Sequence, residues 1–301
     1  MGKKLITVFT PTFNRAHTIV KTYQSLCTQT CNDFEWLIVD DGSTDNTEEI
    51  VEEWIKDNVI PIKYYKKENG GLHTGYNIAI ANIDTELNIC IDSDDFMPDN
   101  AIEIIKNTWE KNKNSNLAGI IGLDYFAGTN TPVGGIFSDI SKPIHFTQIS
   151  PLLKHYGDTK MVLRTDLVKP LVPMQSFPGE KNFNPIYLYF KIDPKLNYLL
   201  INENLCFVDY QPSGMSAGIF RQYFNSPRSF AQIRYEELKH PLISLKRKVI
   251  SAAHLVSSSI IVKDFNLLRK SPQKVLTIIS LPLGIAIYLY IYFKSKINDK
   301  Y

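Results

Sequence analysis

The strongest constraint on the fold is an alternation of short apolar runs with helix-spaced segments across the first hundred residues. Residues 5–9 (LITVF) read as a buried strand, and residues 16–28 follow with Ile19, Tyr23 and Leu26 at helical spacing. Residues 35–39 (EWLIV) form a second run; Ser43 or Thr44 can cap a helix through residue 56, with Glu48 and Glu49 in its first turns. Residues 62–65 and 87–91 read as further strands, with a short helix over 74–83 and another from Asp99 or Asn100 to about residue 111. This order predicts an α/β fold, a mostly parallel sheet with helices on both faces. Such sheets bind ligands beyond the carboxyl ends of their strands.

Beyond residue 112 the pattern loosens. Residues 118–123 and 199–208 read as strands among frequent Gly and Pro, and helices dominate from Phe220. The expected organisation is 1–111 as a first half, 112–216 completing the sheet, and 217–301 as a helical C-terminal region. The four cysteines, Cys27, Cys31, Cys90 and Cys206, match no common zinc spacing and read as reduced thiols. The N-terminal apolar run is too short for a signal peptide and reads as the first strand.

The net charge of +2 hides an asymmetry. From Lys239 to Tyr301 eleven Lys and Arg face only Asp264 and Asp299, a balance of +9 that leaves −7 for the preceding residues. Within this tail, residues 275–293 (VLTIISLPLGIAIYLYIYF) carry no charge, and Lys274, Lys294 and Lys296 bracket them. Tyr288, Tyr290 and Tyr292 crowd the end, and Pro282 and Gly284 interrupt the run. Flanking lysines and interfacial tyrosines suit a membrane surface rather than nucleic acid. The expectation is a segment lying in one leaflet; a buried core helix is the competing reading.

Three polar loops follow strands. The first is Thr10-Pro11-Thr12-Phe13-Asn14-Arg15, where Pro11 is expected to stop the strand and Thr12 or Asn14 to cap the next helix. The second is Asp40-Asp41-Gly42-Ser43-Thr44-Asp45, and the third is Asp92-Ser93-Asp94-Asp95. Taken singly, DDGSTD is also an ordinary turn and Asp-x-Asp is common in surface turns. In order, each after a strand of one parallel sheet, they bring several carboxylates to one edge. Like charges repel there and each resists desolvation, so a counter-charge is called for. A divalent cation bridging a nucleoside diphosphate supplies it, with Asp40 or Asp41 left to contact base or ribose.

The combination PTFNR, VDDGSTDNT, NGGLHTGYNIAIAN and DSDD resembles the inverting nucleotide-sugar glycosyltransferases of glycosyltransferase family 2, which have the Rossmann-like GT-A fold. The resemblance is strong over residues 4–110 and weak to about 215. It implies that Thr10, Pro11 and Phe13, with Arg15 nearby, line the nucleobase pocket and that Asp41, beside Asp40, contacts uridine. Asp92, with Ser93, approaches the ribose. Asp94, with Asp92 and Asp95, holds Mn²⁺ or Mg²⁺, and His73 contacts the diphosphate.

Inverting transfer also needs a base for the acceptor hydroxyl. Asp158, Asp166, Glu180, Asp193 and Asp209 are the candidates in the second half. Glu180 in FPGEKNF resembles the family's glycine-then-acid loop, although Lys181 stands where many members have Asp; Asp158 in GDTK is the second choice. The implied activity is transfer from a UDP-sugar to a glycan acceptor, polyprenyl-diphosphate-linked, at the cytoplasmic face of a bacterial membrane. Capsule, exopolysaccharide or O-antigen synthesis is the expected pathway. A nucleotidyltransferase would call for a glycine-rich basic loop after the first strand, and TPTFNR has no glycine. An inactive binding module is the other alternative, against which the intact aspartates weigh.

Overall fold

A computed structural model of the chain describes residues 2–113, 115–209 and 218–298. The expected boundary at 216–217 and the end of the basic tail, 299–301 with Asp299, lie outside the described residues. The chain forms two compact units, one from 1–70, 74–174 and 195–211, the other from 71–73, 175–194 and 212–301.

The first unit holds a seven-stranded sheet: β1 (Ile6–Thr12), β2 (Phe34–Asp40), β3 (Ile62–Lys66), β4 (Leu87–Cys90), β5 (Leu117–Phe126), β6 (Thr159–Arg164) and β7 (Asn197–Val208). The order is β3-β2-β1-β4-β6-β5-β7. β6 runs antiparallel to both β4 and β5, while β1, β2, β3 and β4 pair in parallel. Helices α1 (Ile19–Cys27), α2 (Thr47–Asp57), α3 (Leu72–Asn82) and α4 (Ala101–Asn112) alternate with the first strands, and α5 (Ile149–Leu153) and α6 (Thr165–Val168) flank β6.

Alternation along β1 explains why both sheet faces are covered. Ile6 and Val8 join a buried cluster with Trp36, Ile38 and Ile89, which packs on Ile19 and Leu26 of α1, Val51 of α2, and Ile102 and Ile105 of α4. Phe9, on the opposite face, meets Tyr76 of α3 edge-on at 5.0 Å. Each such side chain, once buried, contributes about 1.5–3 kcal/mol.

The first strand continues through Pro11 to Thr12, where the sequence reading ended it at Pro11. Proline lacks an N–H and is tolerated where no neighbour needs the donor. β4 pairs with β1 only as far as Phe9, so the missing N–H faces no strand. β6 was not foreseen: its apolar run, Met161-Val162-Leu163, is short and lies between Lys160 and Arg164.

The second unit is helical: α7 (Ile186–Ile192), α8 (Ile219–Asn225), α9 (Pro227–Lys239), α10 (Leu245–Val262), α11 (Asn266–Arg269), α12 (Lys274–Ile279) and α13 (Leu281–Asn298). Ala231, Tyr235 and Leu238 of α9 pack on Ala252 and Leu255 of α10. Buried Glu237 is bonded by Arg234 (2.7 Å), Arg247 (2.6 Å) and Ser251 (2.7 Å). Burial alone would raise its carboxyl pKa, but the two arginines more than offset this and lower it. The uncharged tail run is split at Ser280 into α12 and α13. At Gly284 a Cβ would stand 2.4 Å from Val256 of α10, so the missing side chain allows this close approach. Among the described residues no helix is long and apolar enough to cross a membrane.

His254 on α10 stacks on Tyr223, ring centroids 5.6 Å apart. Burial, with Arg234 adding to it, lowers its pKa from 6.5 to about 4. The unfolded chain therefore takes up a proton near pH 6.5 that the folded chain refuses until about pH 4. The stability of this unit should rise between those pH values, by about 2–3 kcal/mol, and then level off. Urea unfolding across pH 4.5–7.5 should show that slope, and His254→Phe should flatten it.

Candidate functional site at the carboxyl edge of the sheet

The loops after β1 and β2 are tied into one web. Asn14 takes a left-handed backbone (φ +53°). Its N–H donates to Ser43 Oγ (2.9 Å), and its side-chain oxygen accepts from Thr44 N–H (2.8 Å). Asp45 accepts from the Ala16 N–H ahead of α1 (3.1 Å) and from Thr47 N–H at the start of α2 (3.2 Å). Neither Ser43 nor Thr44 caps α2, whose N-cap is Asn46; Asp45, one residue earlier, instead ties the first amide of α2 to the turn that precedes α1. Within the loop after β2 Gly42 adopts φ +85°, where a Cβ would press on Asn69 N and Lys67 O at 3.0 Å each.

The two aspartates that begin this loop are differently engaged. Asp40 is fully buried and accepts from Ser43 N–H (2.7 Å) and from Tyr64 O–H (2.7 Å). Burial and this bond to Asp40 push the Tyr64 phenol pKa upward. Asp41 Oδ1 accepts from the Lys67 ammonium and from Gly70 N–H (2.9 Å). Lys67, which the sequence reading passed over, therefore brings a cation to this edge.

Of the residues matched to the nucleobase pocket, Thr10 is fully buried. Its hydroxyl accepts from Trp36 Nε1 (2.9 Å), beneath the stack of Tyr23 on Trp54 at 4.1 Å. Pro11 is buried as well, whereas Phe13 is 44% exposed. Thr12, read only as a cap, is paired in register with Asp40, and its buried Oγ1 has no hydrogen-bond partner.

In the third loop Asp95 N–H donates to Asp92 O (3.0 Å), which closes the turn. Asp92 is exposed, Asp94 partly buried, and Ser93 and Asp95 are buried. Burial and the neighbouring Asp92 raise the Asp94 carboxyl pKa, and Arg15 acts in the opposite sense. Burial likewise pushes Asp95 up to about 7, against the pull of Lys160. The edge thus has more negative charge than its own cations offset. Its donors are carboxylate oxygens, which suit Mg²⁺ or Mn²⁺ completed by phosphate and water. Among the described residues no group of three or more His, Cys, Asp or Glu converges on one point, so a cation would draw on fewer side chains here.

Because β6 is reversed, its N-terminal end lies beside the end of β4. This brings exposed Asp158 and buried Lys160 to the same edge. His73 and Glu180 belong to the other unit. His73 is buried, and its Nε2 lies 3.0 Å from Ser176 Oγ. Glu180 is buried and accepts from the N–H groups of Arg228 (3.0 Å) and Ser229 (2.7 Å) at the start of α9. It acts there as a helix cap, a contact no local sequence signal announces.

This geometry matches known proteins. The model of glycosyl transferase family 2 covers residues 7–171, more than half of the chain, and the chain belongs to that family. An uncharacterized glycosyltransferase of Rickettsia conorii is 36% identical over 107 residues, 36% of this chain and 17% of that protein. The chondroitin synthase of Pasteurella multocida is 31% identical over 109 residues, 36% of this chain and 11% of that protein. The chain thus spans under a fifth of the length of these curated relatives. The crystal structure of Staphylococcus aureus TarS 1–349 in complex with UDP-GlcNAc superposes with a TM-score of 0.62. It covers 93% of this chain and 80% of that one at 20% identity, and shows the same GT-A fold.

Asp45→Ala removes the acceptor for Thr47 N–H at the start of α2 and for Ala16 N–H in the turn before α1. It should lower stability by about 1–2 kcal/mol in urea unfolding, a larger loss than a single cap deletion on the surface typically gives.

Proposed function

We propose that this chain is a metal-dependent inverting glycosyltransferase that moves a sugar from a UDP-sugar to a glycan acceptor. The observation that carries this reading is the carboxylate excess at the end of β4, where Asp92 is exposed and Asp94 is partly buried within the influence of Arg15 from the β1 loop. TarS, which shares the fold, is described in complex with UDP-GlcNAc. Phe13, Thr12 and Asp41 would receive the nucleoside, with Arg15 and Ser93 near the ribose and phosphates. Asp94 and Asp92 would hold Mn²⁺ or Mg²⁺, which when bound offsets the charge of a departing diphosphate.

The acceptor-side base is assigned to Asp158. It is exposed and lies at the same sheet edge as the acidic loop, where its carboxylate can take the proton of an incoming hydroxyl. Glu180 is the second reading, favoured by the family's glycine-then-acid loop; its oxygens hold two α9 amides, and using it would require giving up that cap. His73 reaches a diphosphate in this scheme only if its burial against Phe183 is relieved.

A lipid-linked acceptor at the cytoplasmic face of a bacterial membrane fits the tail. Val275, Ile278 and Ile279 of α12 and Ile285 and Phe293 of α13 are exposed, and Lys274 and Lys294 are close to them in sequence. An apolar surface edged by lysines suits an anionic leaflet. Capsule, exopolysaccharide or O-antigen assembly would use such an acceptor.

Two measurements test these assignments. Asp158→Asn should lower turnover of a UDP-sugar about 10²- to 10⁴-fold while calorimetric UDP affinity is kept; turnover near wild type would pass the role to Glu180, for which Glu180→Gln gives the same readout. Ile278→Asp with Ile279→Asp should abolish flotation with liposomes containing anionic lipid. Retained flotation would remove α12 from the membrane contact.

A further inference from the structure

Lys160 is the one lysine of β6 that points into the protein beside the acidic loop. It stands opposite Gly122 on β5, so Asp124, two residues on, is its diagonal neighbour on the same face. Lys160 is 9% exposed and Asp124 2%. The ammonium lies 3.5 Å from Asp95 Oδ2 and 3.8 Å from Asp124 Oδ1, an oxygen with no hydrogen bond of its own.

Asp95 is anchored on every side. Its Oδ1 accepts from Asp209 N–H (3.3 Å), its carbonyl from Thr22 Oγ1 (2.7 Å), and its N–H closes the turn on Asp92. Swinging its carboxylate toward a ligand would strip Lys160 of its nearer carboxylate and leave it only Asp124, 3.8 Å away, which is unfavourable for a buried charge. Asp92 and Asp94 carry no such tether to Lys160.

We propose that Lys160 is a positioning residue that keeps Asp95 within the protein framework, so that Asp92 and Asp94 are the carboxylates this loop offers to a divalent cation. The proposal rests on the metal-dependent reading above. It removes Asp95 from the ligand set that the family resemblance implied and gives the loop an internal cation.

The test is a Mn²⁺ titration of the full chain with UDP present, read by the paramagnetic resonance of free Mn²⁺. Asp94→Asn should weaken Mn²⁺ binding about tenfold or more, and Asp95→Asn less than about threefold. Lys160→Met, which removes a cation and frees Asp95, should tighten Mn²⁺ binding, and adding Asp95→Asn should cancel most of that gain, which the loss of a nearby charge alone would not do. Equal losses in Asp94→Asn and Asp95→Asn, or weaker binding in Lys160→Met, overturn the proposal. Thermal unfolding without metal reads the pairing separately: Asp95→Asn and Lys160→Met together should lower Tm by less than the sum of the single losses, and additive losses overturn it. If Lys160→Met does not fold, Lys160→Gln paired with Asp95→Asn supplies the same cycle. No Mn²⁺ uptake by folded wild-type protein overturns the metal-dependent reading and the division of carboxylates with it, whereas coupling between Lys160 and Asp95 in that case upholds the pairing.

Discussion

The reversed direction of β6 is the constraint on which the candidate site depends. A sheet of parallel strands alone would bring only strand ends and the loops after them to its carboxyl edge. One antiparallel strand between β4 and β5 adds a strand beginning, with Asp158 exposed and Lys160 buried beside the loop 92–95. The hydrogen-bond ladders on both sides of β6 fix this placement. A register slip of one residue would turn Lys160 to the other face and put Thr159 or Met161 among the aspartates.

Much of this architecture was legible in the residues. Long alternating segments announced β1 to β4 and α1 to α4, because apolar runs bounded by polar turns leave few other arrangements. The order of the three polar loops, each after a strand, pointed to one edge. What escaped were features decided by contacts far apart in the chain. Thr10 reads as a loop residue, yet Trp36, on the next strand, holds its hydroxyl inside the layer. Pro11 reads as a strand stop, yet β4, the neighbour that would need its N–H, ends at Cys90 opposite Phe9. Lys160 draws no role from its sequence context, since nothing local shows that two carboxylates await it.

The positive charge that the aspartates require is therefore divided. Part belongs to the chain: Lys160 beside Asp95 and Asp124, and Lys67 on Asp41. The remainder is the excess on Asp92 and Asp94, which is the part that an added cation would neutralise. A composition count cannot separate the two portions, because burial and direction decide which carboxylates are already satisfied. Glu180 makes the same point in the helical unit, where an acid suited to chemistry by its sequence context is engaged in holding a helix start.

The web joining Asn14, Ser43, Thr44 and Asp45 has a consequence for how this edge can diversify. The loops after β1 and β2 share their acceptors, so neither can be lengthened or re-sequenced alone without unseating the other's helix. Changes in the proposed nucleoside contacts should then arrive as paired substitutions across the two loops, while the acidic loop after β4 is tied to α1 through Thr22 and Asp95 rather than to the web itself. Grafting one loop from a relative would be expected to fail where grafting both together succeeds.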